Sequence, residues 1–292
     1  MRRSVLMPVL AVLSACVMPL AASAGSGSAP AASRPAATQA ASSFTLGGAK
    51  CSLIGVPAAD GSLPVGVGTC PGVRPGAEVQ SEIGLCTLNF LFETPDKERY
   101  IGTAGHCILG TDNPVAGDNA GEKTWPKGQG PAAKDSTGKR FGEFAYAVLQ
   151  DPKDFSLIRL DPGVEASPEM CNYGGPTGIN EDISDGPKVL QYFGNGIGIG
   201  STVPARSAVA MGFPNADHVY GVGLALPGDS GSAVITDDGR AVGVLVTTGL
   251  HGLGADENGV DFGTMGITRI VPQMNQASKA LGVKLSMVTT KK

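Results

Sequence analysis

Charged side chains are scarce in this chain of 292 residues, at 16% against about 25% in an ordinary soluble domain. The 22 basic and 26 acidic residues leave a net charge of −4 with no basic stripe. That counts against nucleic acid as a partner, since such binding rests on neutralising phosphates, and against attachment to a membrane surface by charge. Cysteines are few, and no close pair of them lies near a pair of histidines, so no zinc or other metal is expected. No internal repeat is present, and no membrane span is expected. Histidine occurs only three times, at His106, His218 and His251, which narrows the choice of a catalytic base to very few residues.

Glycine (43) and proline (21) are plentiful. A chain with many turns and few charged helices favours short strands closed by tight turns over a helical bundle or a βαβ repeat.

The first residues read as an address. Arg2 and Arg3 precede an apolar run from Val5 to Leu20, and Ala22-Ser23-Ala24 then offers small residues where a signal peptidase reads. We expect residues 1–24 to be a signal peptide and the protein to be secreted. Leu13-Ser14-Ala15-Cys16 also resembles a bacterial lipoprotein processing box, which would anchor the protein by a lipid on Cys16. Apolar residues continue through Val17-Met18-Pro19-Leu20 where a polar tether usually follows, so cleavage after Ala24 is preferred. Residues 25–43 are nearly all Ala, Ser, Gly, Pro and Thr, too apolar-poor to offset chain entropy; they read as a disordered linker or short pro-segment. Residues 44–292 read as one continuous domain.

Within that domain, apolar and β-branched runs recur at Leu85–Phe92, Tyr100–Ala104, Phe144–Leu149, Phe155–Leu160, Val203–Phe213, Ala233–Ile235, Ala241–Val246 and Phe262–Thr268. Each reads as a strand. Asp237-Asp238-Gly239 reads as a hairpin turn. Ile270, Met274, Ala277 and Leu281 fall on one helical face, with Gly282 as a C-cap. The segment from Leu109 to Arg140 reads mostly as loop. A Ca²⁺ site among Asp112, Asn113, Asp118 and Asn119 is weighed against a solvated acidic loop, which explains those residues as well.

Five cysteines remain after processing: Cys51, Cys70, Cys86, Cys107 and Cys171. Secretion permits disulfides, and an odd count leaves one thiol unpaired within a monomer. The expected pair is Cys86 with Cys107, which would tie the Leu85–Phe92 strand to the turn after His106. The other three are not assigned by counting.

Three segments carry the chemistry. His106 stands in Thr103-Ala104-Gly105-His106-Cys107, where an apolar strand ends in small residues that let the backbone approach a neighbour. Asp154 opens Asp154-Phe155-Ser156-Leu157-Ile158, and Ser230 lies in Gly228-Asp229-Ser230-Gly231-Ser232. In the chain order His, Asp, Ser these segments resemble the catalytic triad of the chymotrypsin-like serine proteases, over roughly residues 80–282. The Thr-Ala-Gly-His-Cys and Gly-Asp-Ser-Gly runs are the specific part of the match, and the Asp-x-Ser-Leu-Ile run is looser.

The resemblance implies an all-β fold of two six-stranded antiparallel barrels with a C-terminal α-helix. It implies a serine endopeptidase that needs no cofactor, and we expect a monomer acting on polypeptide. Ser230 would be the nucleophile, His106 the general base and Asp154 its orienting carboxylate, with the Gly228 and Ser230 amides as the oxyanion hole. Asp151 and Asp161 compete for the aspartate role but open no such pattern. Leu224, six residues before the nucleophile, would floor the pocket for the residue before the scissile bond, which favours apolar or small residues there. Val246, Thr247, Thr248 and Gly249 would wall the cleft and pair with the substrate backbone. His218 and His251 read as loop residues.

The sequence departs from the animal members of the family in having no Ile-Val-Gly-Gly segment to supply a new N-terminal amine to Asp229. Asp229 must find another partner, which points to the secreted bacterial branch. Ser232 and Ala233 replace a usual glycine and proline after the nucleophile. A catalytically silent binding protein on the same fold is the alternative; the presence of all three triad residues counts against it. An α/β-hydrolase would need Gly-x-Ser-x-Gly and the order Ser, Asp, His, and Ser232 breaks that motif.

Overall fold

The computed structural model describes residues 44–46, 49–51, 70, 72–110, 120–150, 152–181, 188–196, 204–211, 216–248 and 263–292, with backbone alone at 44–46, 49–51, 247 and 248. The expected signal peptide and linker, Cys16, the four Ca²⁺ candidates, Asp151, Gly249 and His251 lie outside the described residues. Strands β1 (Phe44–Leu46) and β2 (Ala49–Cys51) form an antiparallel pair of their own.

The first barrel grows from β3 (Glu78–Gln80), β4 (Leu85–Thr87), β5 (Leu91–Glu93) and β6 (Arg99–Thr103), followed by the short helix α1 (His106–Leu109). After these come β7 (Gly121–Thr124), β8 (Ala132–Lys134), β9 (Arg140–Gln150) and β10 (Lys153–Leu160). Antiparallel pairing runs β5-β6-β10-β9-β8-β3-β4. β4 and β5 are two parts of one bent run. Leu88 N donates to Ala77 O, Asn89 N to Gly102 O and Gly102 N to Phe90 O, so residues 85–93 pair with β3 at one end and β6 at the other. Counting that run as one strand closes a six-stranded circuit. Phe90, Phe92, Tyr100, Ile101, Phe144, Phe155, Leu157 and Ile158 are buried on the two faces of this sheet, with Phe92 edge-on to Phe155.

The second barrel comprises β12 (Val189–Phe193), β13 (Ala205–Ala210), β14 (His218–Val222), β15 (Ala233–Thr236), β16 (Arg240–Thr248) and β17 (Thr264–Arg269). β16 pairs with both β15 and β17, which closes the ring of six. β11 (Gly178–Ile179) lies parallel to β16 at its edge. Alternation is visible along β13, where Arg206, Ala208 and Ala210 are buried and Ser207 and Val209 are exposed.

Helix α2 (Ile270–Leu281) spans the residues its periodicity marks, and Gly282 caps it in the left-handed conformation. It buries Ile270, Gln273 and Ala277, with Met274 and Leu281 packed on the core. Nine consecutive residues of β9 are buried, as expected of a strand with both faces covered. Beyond α2, β18 (Ser286–Met287) adds an edge strand to β5. The following residues cross to the other half: Thr290 N donates to Pro176 O, Gly175 N to Lys291 O, and Lys292 Nζ to the buried Gln191 in β12.

The segment expected to be loop, Leu109 to Arg140, contains β7 and β8. Their residues, Gly-Glu-Lys-Thr and Ala-Ala-Lys, show no apolar alternation, and three of the four in β7 are exposed. They are strands because β9 offers them a hydrogen-bonding edge. Two disulfides are present among the described residues. Cys86–Cys107 spans 6.2 Å between Cα atoms, and Cys70–Cys171, a pair the cysteine count left open, spans 6.0 Å. No helix among the described residues is long and apolar enough to cross a membrane.

Candidate active site

His106 starts where β6 ends. Gly105 makes this possible by close approach: a Cβ there would stand 1.9 Å from Val148 O of β9, so no larger residue fits. Next to it, Asp154 is the second residue of β10 and is buried. Oδ1 accepts the Gly105 amide at 2.6 Å and the His106 amide at 2.9 Å, and Oδ2 lies 2.6 Å from His106 Nδ1. Two backbone donors therefore fix the carboxylate before it meets the ring. Ser156 Oγ donates to Ala104 O at 2.9 Å and holds the same loop from β10. Burial of the imidazole disfavours its charged form; the charge and hydrogen bond of Asp154 outweigh that and raise the pKa above the usual value.

Ser230 is brought to this loop from the other barrel. Thr87 in β4 accomplishes much of the positioning, since its amide donates to Ser230 O and its Oγ1 to Gly228 O, both at 2.8 Å. Gly231 has φ of +90°, and a Cβ on it would lie 2.2 Å from Thr103 Oγ1 and 2.3 Å from Thr87 O. The backbone after Ser230 thus packs against the turn that carries His106. Gly231→Ala should cost about 3 kcal/mol, from overpacking and a strained φ together. Urea unfolding checks this, and a cost under about 1 kcal/mol would mean the two segments do not press together. Among the described residues nothing accepts a hydrogen bond from the Gly228 and Ser230 amides, and Gly228 has φ of +100°.

The partner that Asp229 needs is Arg206. This arginine stands in the inward phase of β13, and its guanidinium clasps both carboxylate oxygens, Nη1 to Oδ2 at 2.6 Å and Nη2 to Oδ1. Both side chains are almost wholly buried, at 5% and 1% exposure. Gly196 N and Leu226 N also donate to the Asp229 carboxylate, at 2.7 and 2.8 Å. Arg206 Nη1 reaches Leu224 O and Nη2 reaches Gly194 O, and the cation lies over the Tyr192 ring. One buried cation therefore ties together the residue before Ser230, the segment leading to it and the end of β12. Sequence reasoning missed Arg206. The available signal was a lone charge in phase with Ala208 and Ala210 along an alternating strand.

The other predicted residues are placed as follows. Leu224 is 52% exposed, with its carbonyl tied inward by Tyr192 Oη and Arg206. The Val246 side chain is buried, and Val246 falls where the register of β16 against β17 shifts between Leu245 and Thr247. Thr247 and Thr248 continue β16 in register with Gly266 and Met265. Asp161, the competing aspartate, bonds Arg140 on the surface at 2.9 Å. His218, expected in a loop, instead opens β14 because β17 offers it a pairing edge at Thr268, and its ring stacks on Tyr220. Ligand atoms of Cys86, His106 and Cys107 fall within 4.8 Å of one another, but the two sulfurs are bonded to each other and have no thiolate to offer a metal.

The solved structures similar to this chain include three proteases. Thermobifida fusca Protease A is 18% identical with a TM-score of 0.49, over 75% of this chain and 100% of that one. Nocardiopsis Protease is 19% identical with a TM-score of 0.49, over 74% and 98%. Alpha-lytic protease homolog N4 is 18% identical with a TM-score of 0.46, over 73% and 98%. No family model and no curated protein matches the sequence.

Proposed function

We propose that the protein is a secreted serine endopeptidase that cleaves polypeptide through an acyl-enzyme. The observation that carries this reading is the 2.6 Å contact between His106 Nδ1 and Asp154 Oδ2, beside a glycine-flanked serine whose backbone packs on the same turn. A serine hydroxyl is a poor nucleophile at neutral pH and needs a base held in one tautomer. With Nδ1–H donating to Asp154, the other ring nitrogen is left with a lone pair to accept the Ser230 proton. Ser230 Oγ attacks the scissile carbonyl, and His106 then returns the proton to the leaving amine. Asp154 stabilises the imidazolium between those steps. The Gly228 and Ser230 amides bind the oxyanion, and water attacks the acyl-enzyme by the same route in reverse. Apolar or small residues precede the scissile bond, a preference supported by the apolar side chain at Leu224. The two disulfides support export to an oxidising compartment, with residues 1–24 removed and residues 25–43 as tether.

The test is labelling by a fluorophosphonate, in which Ser230 Oγ displaces fluoride from phosphorus, read by intact mass. One adduct is expected on the wild type. Only the neutral imidazole accepts a proton, so a raised His106 pKa shifts the labelling rate upward in pH, with a midpoint above about 6.5. No adduct on folded protein, before or after limited proteolysis, would leave the silent binding protein as the better reading. Full labelling well below the midpoint would remove His106 as the base.

A further inference from the structure

The turn around Ser230 contains five consecutive amides, from Gly228 to Ser232, and three of them are satisfied inside the protein. Asp229 N donates to Leu226 O, Gly231 N to Leu245 O and Ser232 N to Asp229 O. The Gly228 and Ser230 amides donate to nothing among the described residues. Glycine fills two of the five positions, so the peptide planes would swing readily if nothing gripped them. Two hydroxyl groups outside the triad supply the grip. Thr87 Oγ1 donates to Gly228 O at 2.8 Å, and Ser232 Oγ donates to Asp229 O at 2.6 Å; both residues are wholly buried. The Asp229 carbonyl belongs to the same peptide as the Ser230 N–H, so the Ser232 hydroxyl acts on one open donor through its own plane. The Gly228 carbonyl lies on the other open donor's residue.

The direction of the Thr87 hydrogen bond is dictated by its neighbours. Its oxygen lies 3.0 Å from Asn195 N and 3.2 Å from Asn195 Nδ2. Asn195 Nδ2 also donates to Gly76 O at 3.0 Å, and a carbonyl only accepts, which fixes the end of the carboxamide that carries nitrogen. Two donors therefore fill both lone pairs of the hydroxyl, and its one proton is left for Gly228 O. Hydrogen bonds chained in this way polarise one another. Asn195 also bounds Gly228 directly, since a Cβ there would stand 2.6 Å from Asn195 O. The Ser232 hydroxyl has room because Gly194 faces it; a Cβ on Gly194 would stand 2.7 Å from Ser232 Oγ. We propose, on the protease reading above, that Thr87 and Ser232 are positioning residues for the oxyanion hole: their hydroxyls hold the Gly228 and Asp229 carbonyls so that the Gly228 and Ser230 N–H groups converge on the charge as it develops. Donors fixed beforehand need no reorganisation when that charge appears. Thr87 belongs to the first barrel and Ser232 to the second, so the hole is complete only when the two are docked.

The experiment uses Thr87→Val, which keeps the shape and loses the hydroxyl, Thr87→Ser, which keeps the hydroxyl, and Ser232→Ala. Each is assayed on a peptide p-nitroanilide and titrated with two inhibitors. One is a peptidyl trifluoromethyl ketone, whose carbonyl oxygen becomes an oxyanion when Ser230 Oγ adds to the carbon; the other is the corresponding alcohol, which forms no adduct. Thr87→Val and Ser232→Ala should each lower kcat about tenfold with KM nearly unchanged, a smaller loss than removal of a donor outright. The ketone should weaken in proportion while the alcohol binds as before. A buried acceptor left bare also lowers stability, but the ratio of the two affinities does not depend on how much of the protein is folded. Thr87→Ser should return kcat and the ratio to within about threefold of the wild type. An unchanged ratio in Thr87→Val and Ser232→Ala would overturn the proposal, since the hydroxyls would then be merely structural. A loss in Thr87→Ser equal to that in Thr87→Val would overturn it too, by making the methyl group the part that matters. Wild-type protein that takes no fluorophosphonate would instead sink the protease reading; labelling with an unchanged ratio sinks this proposal alone.

Discussion

Replacing Ser230 with alanine should lower kcat by about 10⁶-fold with little change in KM, because the variant keeps the binding surface and the oxyanion donors but loses the covalent route. The size follows from interdependence. On the proposed mechanism, loss of Ser230 Oγ leaves His106 with no hydroxyl to deprotonate, and the Asp154 carboxylate, held by the Gly105 and His106 amides, would orient a base with no task. Adding His106→Ala to Ser230→Ala should therefore cost almost nothing further, since groups acting as a unit are not additive. Active-site titration and peptide hydrolysis with both variants measure this. A Ser230→Ala variant that keeps even a hundredth of the wild-type rate would place the nucleophile elsewhere.

The second large effect is expected at Arg206, which touches no reacting atom. Arg206→Met leaves the Asp229 carboxylate buried without its cation, and breaking such a pair costs about 3–5 kcal/mol. Asp229 immediately precedes Ser230, and its carboxylate also collects the Gly196 and Leu226 amides. Its displacement should move the Ser230 amide, an oxyanion donor in the proposed mechanism, and loss of one such donor costs about 10²- to 10³-fold in rate. The double variant Arg206→Met/Asp229→Leu separates the two roles. A buried pair exchanged for apolar residues is often neutral in stability, so the urea midpoint should largely recover while hydrolysis of a p-nitroanilide stays low. Recovery of both would reduce the ion pair to a structural part; recovery of neither would mean the cavity does not accept apolar side chains.

What the sequence revealed depended on how local the signal was. Helix α2 was legible from Ile270 to Leu281 because its periodicity and its Gly282 cap lie within one segment. β6, β10, β15 and β16 were legible as apolar runs between turns. β7 and β8 were not, because the edge of β9 makes them strands and their own side chains do not. β12 and β14 were hidden by Gln191, His218 and Tyr220, polar or amphipathic residues in short runs. At the site, the motifs named His106, Asp154 and Ser230, while Thr87 and Arg206 act across more than one hundred and about twenty residues of sequence, respectively, where spacing carries no information. The need at Asp229 was readable from the missing amine. Which residue meets it was a tertiary matter. The same holds for Cys70 and Cys171, whose separation of 101 residues gives no clue to their bond.

Pairing of β18 with β5 sets an order on assembly. Ser286 opposes Glu93 and Met287 opposes Phe92, so a chain made from its N-terminus finishes its first barrel's outer edge only after the whole second barrel has been synthesised. Contacts this distant in sequence are slow to form, and until they do, β5 presents an open edge to other chains. The crossing made by Thr290, Lys291 and Lys292 then comes later still, a latch set once both halves exist.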